Sequence, residues 1–213
     1  MKHWVFDLDG TLIDSEKYYE LSIKTILGEF EIIATADDID LAYKFFNPED
    51  YFATYFQDAQ KIQQATQRLA DLNKIYANKL TAFEDVEGLL IYLRSKDVNV
   101  SVWTGRETET AKKILNDTGL AKHIGICVGR TCVPKNKPHP DGLLKILMDS
   151  RSHGDNVLMV GDHEYDMQGA RAAKVKAVSV NWGKKTRHNA RAISDHHFEN
   201  VSDLLFWTLN LYK

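Results

Sequence analysis

The stretch Trp4-Val5-Phe6-Asp7-Leu8-Asp9-Gly10-Thr11-Leu12 constrains the chain more than any other. Its apolar opening, with aromatic and β-branched members, suits a strand buried on both faces, as in a parallel sheet. Gly10 punctuates the end, so Asp7 and Asp9 are expected where the strand gives way to a loop. Strand alternation points residues i and i+2 the same way, which lets both carboxylates face one pocket. In open α/β sheets, ligands bind outside the carboxyl ends of the strands, where these two acids fall.

Asp-x-Asp-Gly is also an ordinary turn sequence, because both residue types favour turns for local reasons. Two acids closing a hydrophobic strand ask for more, since their repulsion is costly unless a cation or a proton sits between them. Two chemistries meet that need, a calcium loop and a magnesium-assisted phosphoryl-transfer site. A helix–loop–helix calcium site requires further oxygen ligands, a closing Glu and a preceding helix. Here a strand precedes and Thr11-Leu12 follow, so the calcium reading fails.

With 213 residues the chain can bury a full core, as one domain with an insertion or as two small domains. A net charge of -3 gives no global attraction to nucleic acid or anionic membrane. The local basic run Lys184-Lys185-Thr186-Arg187-His188 with Arg191 reads as a solvated face, or more weakly as a lure for an anionic substrate. No apolar stretch reaches the about eighteen residues that suggest a membrane span, and the N-terminus lacks a signal-peptide layout. Two cysteines, Cys127 and Cys132, make neither a disulfide framework nor a zinc site. Cys127 reads as a small core residue, and a reducing, cytoplasmic setting is the simplest expectation.

From Glu16 to Leu80 the pattern is helical and contains no strand signal. Leu21, Ile23, Ile26, Leu27 and Phe30 recur at helical spacing, as do Ile62, Leu69, Leu72, Ile75, Tyr76 and Leu80. Asn47-Pro48 marks a helix start, with Asn47 as cap and Pro48 in the first turn. The aromatics Tyr18, Tyr19, Tyr43, Phe45 and Phe46 read as packing within this segment. After Phe83, helices and strands alternate: strands at Val98–Trp103, Ile124–Val128, Asn156–Val160 and Ala177–Val180, and a closing helix over Val201–Leu211. Alternation with short links implies a Rossmann-like, doubly wound parallel sheet. The expected architecture is an α/β core formed by residues 1–14 and 82–213, interrupted by an all-helical insertion over 15–81. No dinucleotide fingerprint or lysine-bearing phosphate loop is present.

Polar residues close four of these strands. Asp7 and Asp9 end the first. Thr104-Gly105 offers a hydroxyl and unhindered amides as a small anion cradle. Lys137 lies in the loop after Val128 and can neutralise a phosphoryl oxygen. Asp162 ends a further strand, and Asp166 follows one helical turn later. Taken singly, each has a dull explanation: a turn, a solvated loop lysine, a strand end with a helix cap. Taken in order, they suit one chemistry. Clustered Asp7, Asp9 and Asp162 call for a small hard cation with oxygen ligands, which describes Mg2+. Charge spread over fixed partners supplies most of the catalysis in phosphoryl transfer, a carboxylate can itself attack, and a neighbouring one can protonate the leaving oxygen.

These segments, Asp7-Leu8-Asp9-Gly10-Thr11-Leu12, Thr104-Gly105, Lys137-Pro138 and Gly161-Asp162 with Asp166, resemble the motifs of the haloacid dehalogenase superfamily. The chain is most similar to its phosphatases with a helical cap inserted after the first motif, the phosphoglycolate phosphatase-like and β-phosphoglucomutase-like group. The resemblance implies Asp7 as nucleophile and Asp9 as general acid/base, with Thr104, Gly105 and Lys137 holding the phosphoryl group. It implies metal ligands from Asp7, the Asp9 carbonyl and Asp162, with Asp166 in or just behind that set. Asp9 argues against carbon–halogen cleavage, since the dehalogenases lack that second acid. The chain departs from the group at Glu84-Asp85, where Pro-Gly is usual, and at Gly105, where Asn is common. The expected activity is Mg2+-dependent hydrolysis of a small phosphorylated metabolite by a monomer or homodimer, with no nucleic-acid or membrane partner. The alternatives are a phosphosugar mutase of the same architecture and a non-catalytic phosphometabolite-binding module. Smaller expectations concern His163 and His139 as structural loop residues, His196 and His197 facing opposite ways, and Arg106 contacting substrate, capping the next helix or pairing with Glu109.

Overall fold

The structure, a computed structural model, describes residues 1–45, 47–183 and 190–213. Phe46 and the basic run Lys184-Lys185-Thr186-Arg187-His188 lie outside the described residues. The chain divides into two compact units, Met1–Asp14 with Leu80–Lys213, and Ser15–Lys79.

In the first unit, β1 (His3–Phe6) leads to β2 (Ile13–Asp14). The second unit then contributes α1 (Glu16–Glu29), α2 (Ala36–Ala42), α3 (Pro48–Phe52) and α4 (Ala59–Tyr76). The chain re-enters the first unit at β3 (Thr81–Ala82), which pairs antiparallel with β2. There follow α5 (Val86–Ser95), β4 (Asn99–Trp103), α6 (Thr108–Asp117), β5 (Ile126–Val128) and α7 (Asp141–Ser150). The unit closes with β6 (Val157–Gly161), α8 (Glu164–Ala172), β7 (Lys176–Val180), α9 (Ala190–Ile193), β8 (His196–Phe198) and α10 (Val201–Leu211).

Six parallel strands form the main sheet in the order β5-β4-β1-β6-β7-β8. β1 is central, and its residues Trp4, Val5 and Phe6 are fully buried. Each such side chain contributes roughly 1.5–3 kcal/mol of hydrophobic stabilisation. Alternation along the strand divides them between two layers. Val5 joins Met159, Ala177, Leu143, Ile146, Met167 and Ala170 in one core, beneath α7 and α8. Trp4 faces the other way, with its ring 6.1 Å from that of Trp207 on α10 and its indole N–H on the Tyr212 hydroxyl at 2.9 Å. Helices therefore cover both faces, the doubly wound arrangement expected from the alternation. The edge strand β8 is not foreseen from sequence, because His-His-Phe carries no apolar alternation. It is held by pairing with β7 and by Ser179 Oγ against His197 Nδ1 at 2.7 Å. His196 instead packs on Trp207, so the two histidines do diverge.

The second unit has its own core of Ile23, Ile26, Leu27, Ile39, Ala42, Tyr51, Phe52, Phe56, Ala65, Leu69 and Leu72. Asn47 caps α3 by accepting from Glu49 N, and Pro48 occupies the first turn, as the sequence suggests. Tyr19 packs on Tyr43, Tyr18 on Tyr76 and Phe45 on Tyr51. Leu21 and Ile75 are exposed, unlike the other members of their expected stripes. At about 100° per residue, Leu21 is turned well away from Ile23, Ile26 and Leu27, whereas Ile75 lies only about 60° from buried Leu72, at the margin of its stripe.

Trp103, at the end of β4, is buried against two helical glycines. A Cβ at Gly142 would lie 2.1 Å from its Nε1, and one at Gly169 2.4 Å from its Cη2. Alanine in a helix gains about 1 kcal/mol over glycine, whereas overpacking a tight core costs roughly 1–3 kcal/mol. The clash should win. Gly142→Ala is expected to lower the denaturant midpoint of unfolding, and a raised midpoint would show that the indole yields freely.

Candidate active site

Register brings the strand ends together. Phe6 is aligned with Val102 on β4 and Val160 on β6, so the residues that follow emerge along one rim. Strand order reverses at β1, whose neighbours β4 and β6 lie on opposite sides of it, and such a switch point opens a crevice at the carboxyl edge. Asp7 N donates to Val160 O at 2.8 Å and Thr104 N to Val128 O at 3.0 Å, which carries the ladder to the edge of the site. Beyond Asp7 the chain turns tightly. Gly10 has φ 75°, and Leu12 N and Ile13 N both donate to Leu8 O at 2.9 Å. Glycine adopts that conformation without a Cβ clash.

The side chains of Asp7, Asp162 and Asp166 are buried, and each offers an oxygen within 4.8 Å of the others. Lys137 stands among them, its Nζ donating to Asp7 Oδ1 at 2.6 Å and to Asp166 Oδ1 at 2.5 Å. Far from a solvated loop lysine, Lys137 is buried, with its ammonium 4.8 Å above the Trp103 ring. The two glycines that seat Trp103 thus also fix the surface on which Lys137 rests. Burial opposes the charge on Lys137, but Asp166 and Asp7 outweigh it and raise its pKa to about 12. Burial, reinforced by Asp166, Asp162 and Asp9, pushes the Asp7 carboxyl well above its usual range despite Lys137.

Asp166 caps α8 reciprocally with His163, accepting from His163 N at 3.1 Å while the His163 ring accepts from Tyr165 N. Gly161 makes room for it, since a Cβ there would lie 2.3 Å from Asp166 Oδ2. Asp162 Oδ1 accepts from Thr11 Oγ1 at 3.3 Å, and Thr11 O accepts from Trp182 Nε1 at 3.0 Å. Thr104 Oγ1 accepts from Arg106 N at 3.2 Å, closing a tight turn around Gly105.

The Asp9 carboxylate is outside the three-carboxylate group. Arg106 holds it by a two-pronged pair, Nε to Oδ2 and Nη2 to Oδ1, each at 2.6 Å. The clustered acids are therefore Asp7, Asp162 and Asp166, not the Asp7, Asp9 and Asp162 expected from sequence, because Arg106 draws the Asp9 side chain to itself; the metal contact that the resemblance implies for Asp9 runs through its backbone carbonyl, on which this pairing does not bear. Arg106 does not pair with Glu109, which is engaged by Lys112 one turn along the exposed face of α6. His139 pairs with Asp141 at the start of α7. Cys127 is half-buried rather than in the core, and burial pushes its thiol up to about 11. Trp103, Thr11 and the Arg106–Asp9 pair are the features that the sequence reading missed. The signals available were the paired glycines of α7 and α8 and an arginine following directly on the Thr-Gly turn.

This arrangement, on this fold, defines a class of hydrolase. The profile of the haloacid dehalogenase-like hydrolases matches residues 4–180; the chain belongs to that family, as one of its phosphatases. It is 34% identical over 189 residues to a candidate pyrophosphatase, PpaX, of Caldanaerobacter subterraneus subsp. tengcongensis, covering 84% of this chain and 80% of that one. A haloacid dehalogenase-like family hydrolase from Streptococcus pneumoniae shares the fold with a TM-score of 0.87 at 22% identity, over 98% of both chains. A predicted phosphoglycolate phosphatase from Haemophilus somnus does so with a TM-score of 0.84 at 21% identity, again over 98% of both.

Proposed function

We propose that the chain is a Mg2+-dependent phosphatase that hydrolyses a small phosphorylated metabolite through an aspartyl-phosphate on Asp7. The observation that carries this reading is the meeting of Asp7, Asp162 and Asp166 around Lys137, from three separate parts of the sequence. Lys137 bonds two of these carboxylates, Asp7 and Asp166. Oxygen donors in a compact, buried group suit a small divalent cation. Asp7, Asp162 and the Asp9 carbonyl would hold it, with Asp166 in or just behind that set. When bound, the ion supplies charge neutralisation for the transferred phosphoryl oxygens.

The chain's own residues divide the remaining work. Asp7 attacks phosphorus, and Lys137 fixes its carboxylate while offsetting charge on the incoming group. Thr104 and the Gly105 amide hold the phosphoryl oxygens. Asp9, once an oxygen leaves the Arg106 fork that keeps it ionised, gives a proton to the leaving oxygen and then takes one from the water that releases phosphate. Residues 15–81 serve as the helical cap domain and residues 1–14 and 82–213 as the catalytic core, and the enzyme acts in the cytoplasm as a monomer or homodimer, without nucleic-acid or membrane partners. Among the described residues, no helix is long and apolar enough to cross a membrane.

A second reading, favoured by the name of the 34% identical relative, takes pyrophosphate as substrate. A phosphate-release screen in Mg2+ over phosphoglycolate, sugar phosphates and pyrophosphate tests both. Orthophosphate is expected from at least one of them. Isomerised sugar phosphate without net release would indicate the mutase, and silence across the panel would defeat the hydrolase reading.

A further inference from the structure

Arg106 is tied to the site at both ends yet incompletely used. Its amide donates to Thr104 Oγ1, inside the turn assigned to the phosphoryl group. Its carbonyl accepts from Arg130 N at 2.8 Å, and a Cβ at Gly129 would lie 2.5 Å from that carbonyl oxygen, so the loop is pressed into place. One edge of the guanidinium, Nε and Nη2, is spent on Asp9. The remaining nitrogen, Nη1, is buried and has no acceptor among the described residues. A buried N–H group without a partner is costly, and an incoming oxygen would relieve that cost.

The position of that nitrogen indicates which oxygen. Asp9 is the carboxylate assigned to the leaving group, and Nη1 belongs to the planar group clamped onto it. Because Nη1 shares the planar group clamped onto Asp9, an acceptor in the part of the substrate that departs is favoured over one in the phosphoryl group transferred to Asp7. Guanidinium forks match phosphate oxygens, and one fork can hold two anions on different edges. We propose that Arg106 recognises an anionic phosphate in the leaving group, so that the preferred substrates are diphosphates, with inorganic pyrophosphate the smallest. This rests on the hydrolase reading above and narrows it. The terminal phosphorus bonds to Asp7 as its bond to the bridging oxygen breaks. The electron pair leaves on that oxygen as one orthophosphate, and water releases the second from Asp7.

The test compares pyrophosphate with phenyl phosphate, whose leaving group carries no second phosphate, in the wild-type chain and in Arg106→Lys. Lysine keeps a cation beside Asp9 but has no second edge for another anion. The kcat/KM for pyrophosphate is expected to fall on the order of 100-fold, mainly through KM, and that for phenyl phosphate by less than about tenfold. Equal losses would overturn the proposal and leave Arg106 as the counter-ion of Asp9. A wild-type enzyme that cleaves phenyl phosphate but prefers it to pyrophosphate would overturn the proposal while sparing the hydrolase reading; failure on every phosphate compound would sink that reading itself. Should Arg106→Lys not fold, inhibition of the wild-type enzyme decides. Imidodiphosphate should bind at least about tenfold more tightly than methylphosphonate, and equal inhibition constants would refute the assignment.

Discussion

Asp7→Asn is expected to reduce phosphate release by about 10⁴-fold or more while leaving the fold intact. The substitution preserves shape and removes only the charge and nucleophilicity of one oxygen. Lys137 keeps its second partner, since its ammonium also donates to Asp166 at 2.5 Å. Stability without metal should not suffer. Burial, aided by Asp166, Asp162 and Asp9, pushes the Asp7 carboxyl well above its ordinary range in the folded chain. An acid whose folded pKa is raised binds more protons folded than unfolded. Its contribution is therefore favourable below the unfolded pKa and is lost as pH rises through the folded one. At neutral pH the metal-free protein bears that loss, and an amide does not. Thermal unfolding in chelator at neutral pH should thus give Asp7→Asn a Tm at or above that of the wild type. Undiminished turnover in this variant would remove Asp7 as nucleophile, and a collapsed Tm would mean that its charge holds the fold together.

What could be read from sequence follows from how local each cause is. The apolar run Trp4–Phe6 makes a strand buried on both faces, and the breaks at Asp7 and Gly10 mark its end, so the rim position of the acids was legible. The joining of Asp7 with Asp162 and Asp166 was legible only as a consequence of parallel register, because Phe6 aligns with Val160. By contrast, nothing in the spacing says that Lys137 would be buried on the Trp103 ring. That contact depends on Gly142 and Gly169, which clear space from two different helices. The partner of Arg106 was misjudged for the opposite reason. Glu109 is near in sequence, yet it lies on the exposed face of α6, whereas Asp9 is brought in by the neighbouring strand. The departure at Glu84-Asp85 also finds its meaning in the backbone. Asp85 begins α5 at φ 64°, a left-handed conformation that favours glycine, the residue usual at this point in similar phosphatases. The backbone requirement is retained where the residue is not.

Mg2+ should raise the Tm of the chain, and chelation should stop phosphate release. The first effect matters more, because it reads the carboxylate cluster without relying on catalysis. Three buried acids offer oxygens within 4.8 Å of one another, two of them bonded to Lys137, so the folded state holds like charges close that unfolding would disperse into water. A divalent cation that binds this cluster only when folded stabilises by mass action, about 2.7 kcal/mol at a hundredfold excess over its Kd. For a chain of this size that corresponds to a Tm rise of about 5–10 °C. Asp162→Asn should flatten the response. It removes one anionic ligand from the cluster, while Thr11 Oγ1, which donates to Asp162 Oδ1, can still donate to the amide oxygen. Lys137 should be undisturbed, since its bonds go to Asp7 and Asp166. A wild-type Tm indifferent to Mg2+, or an equal rise in Asp162→Asn, would dissociate the cluster from metal binding.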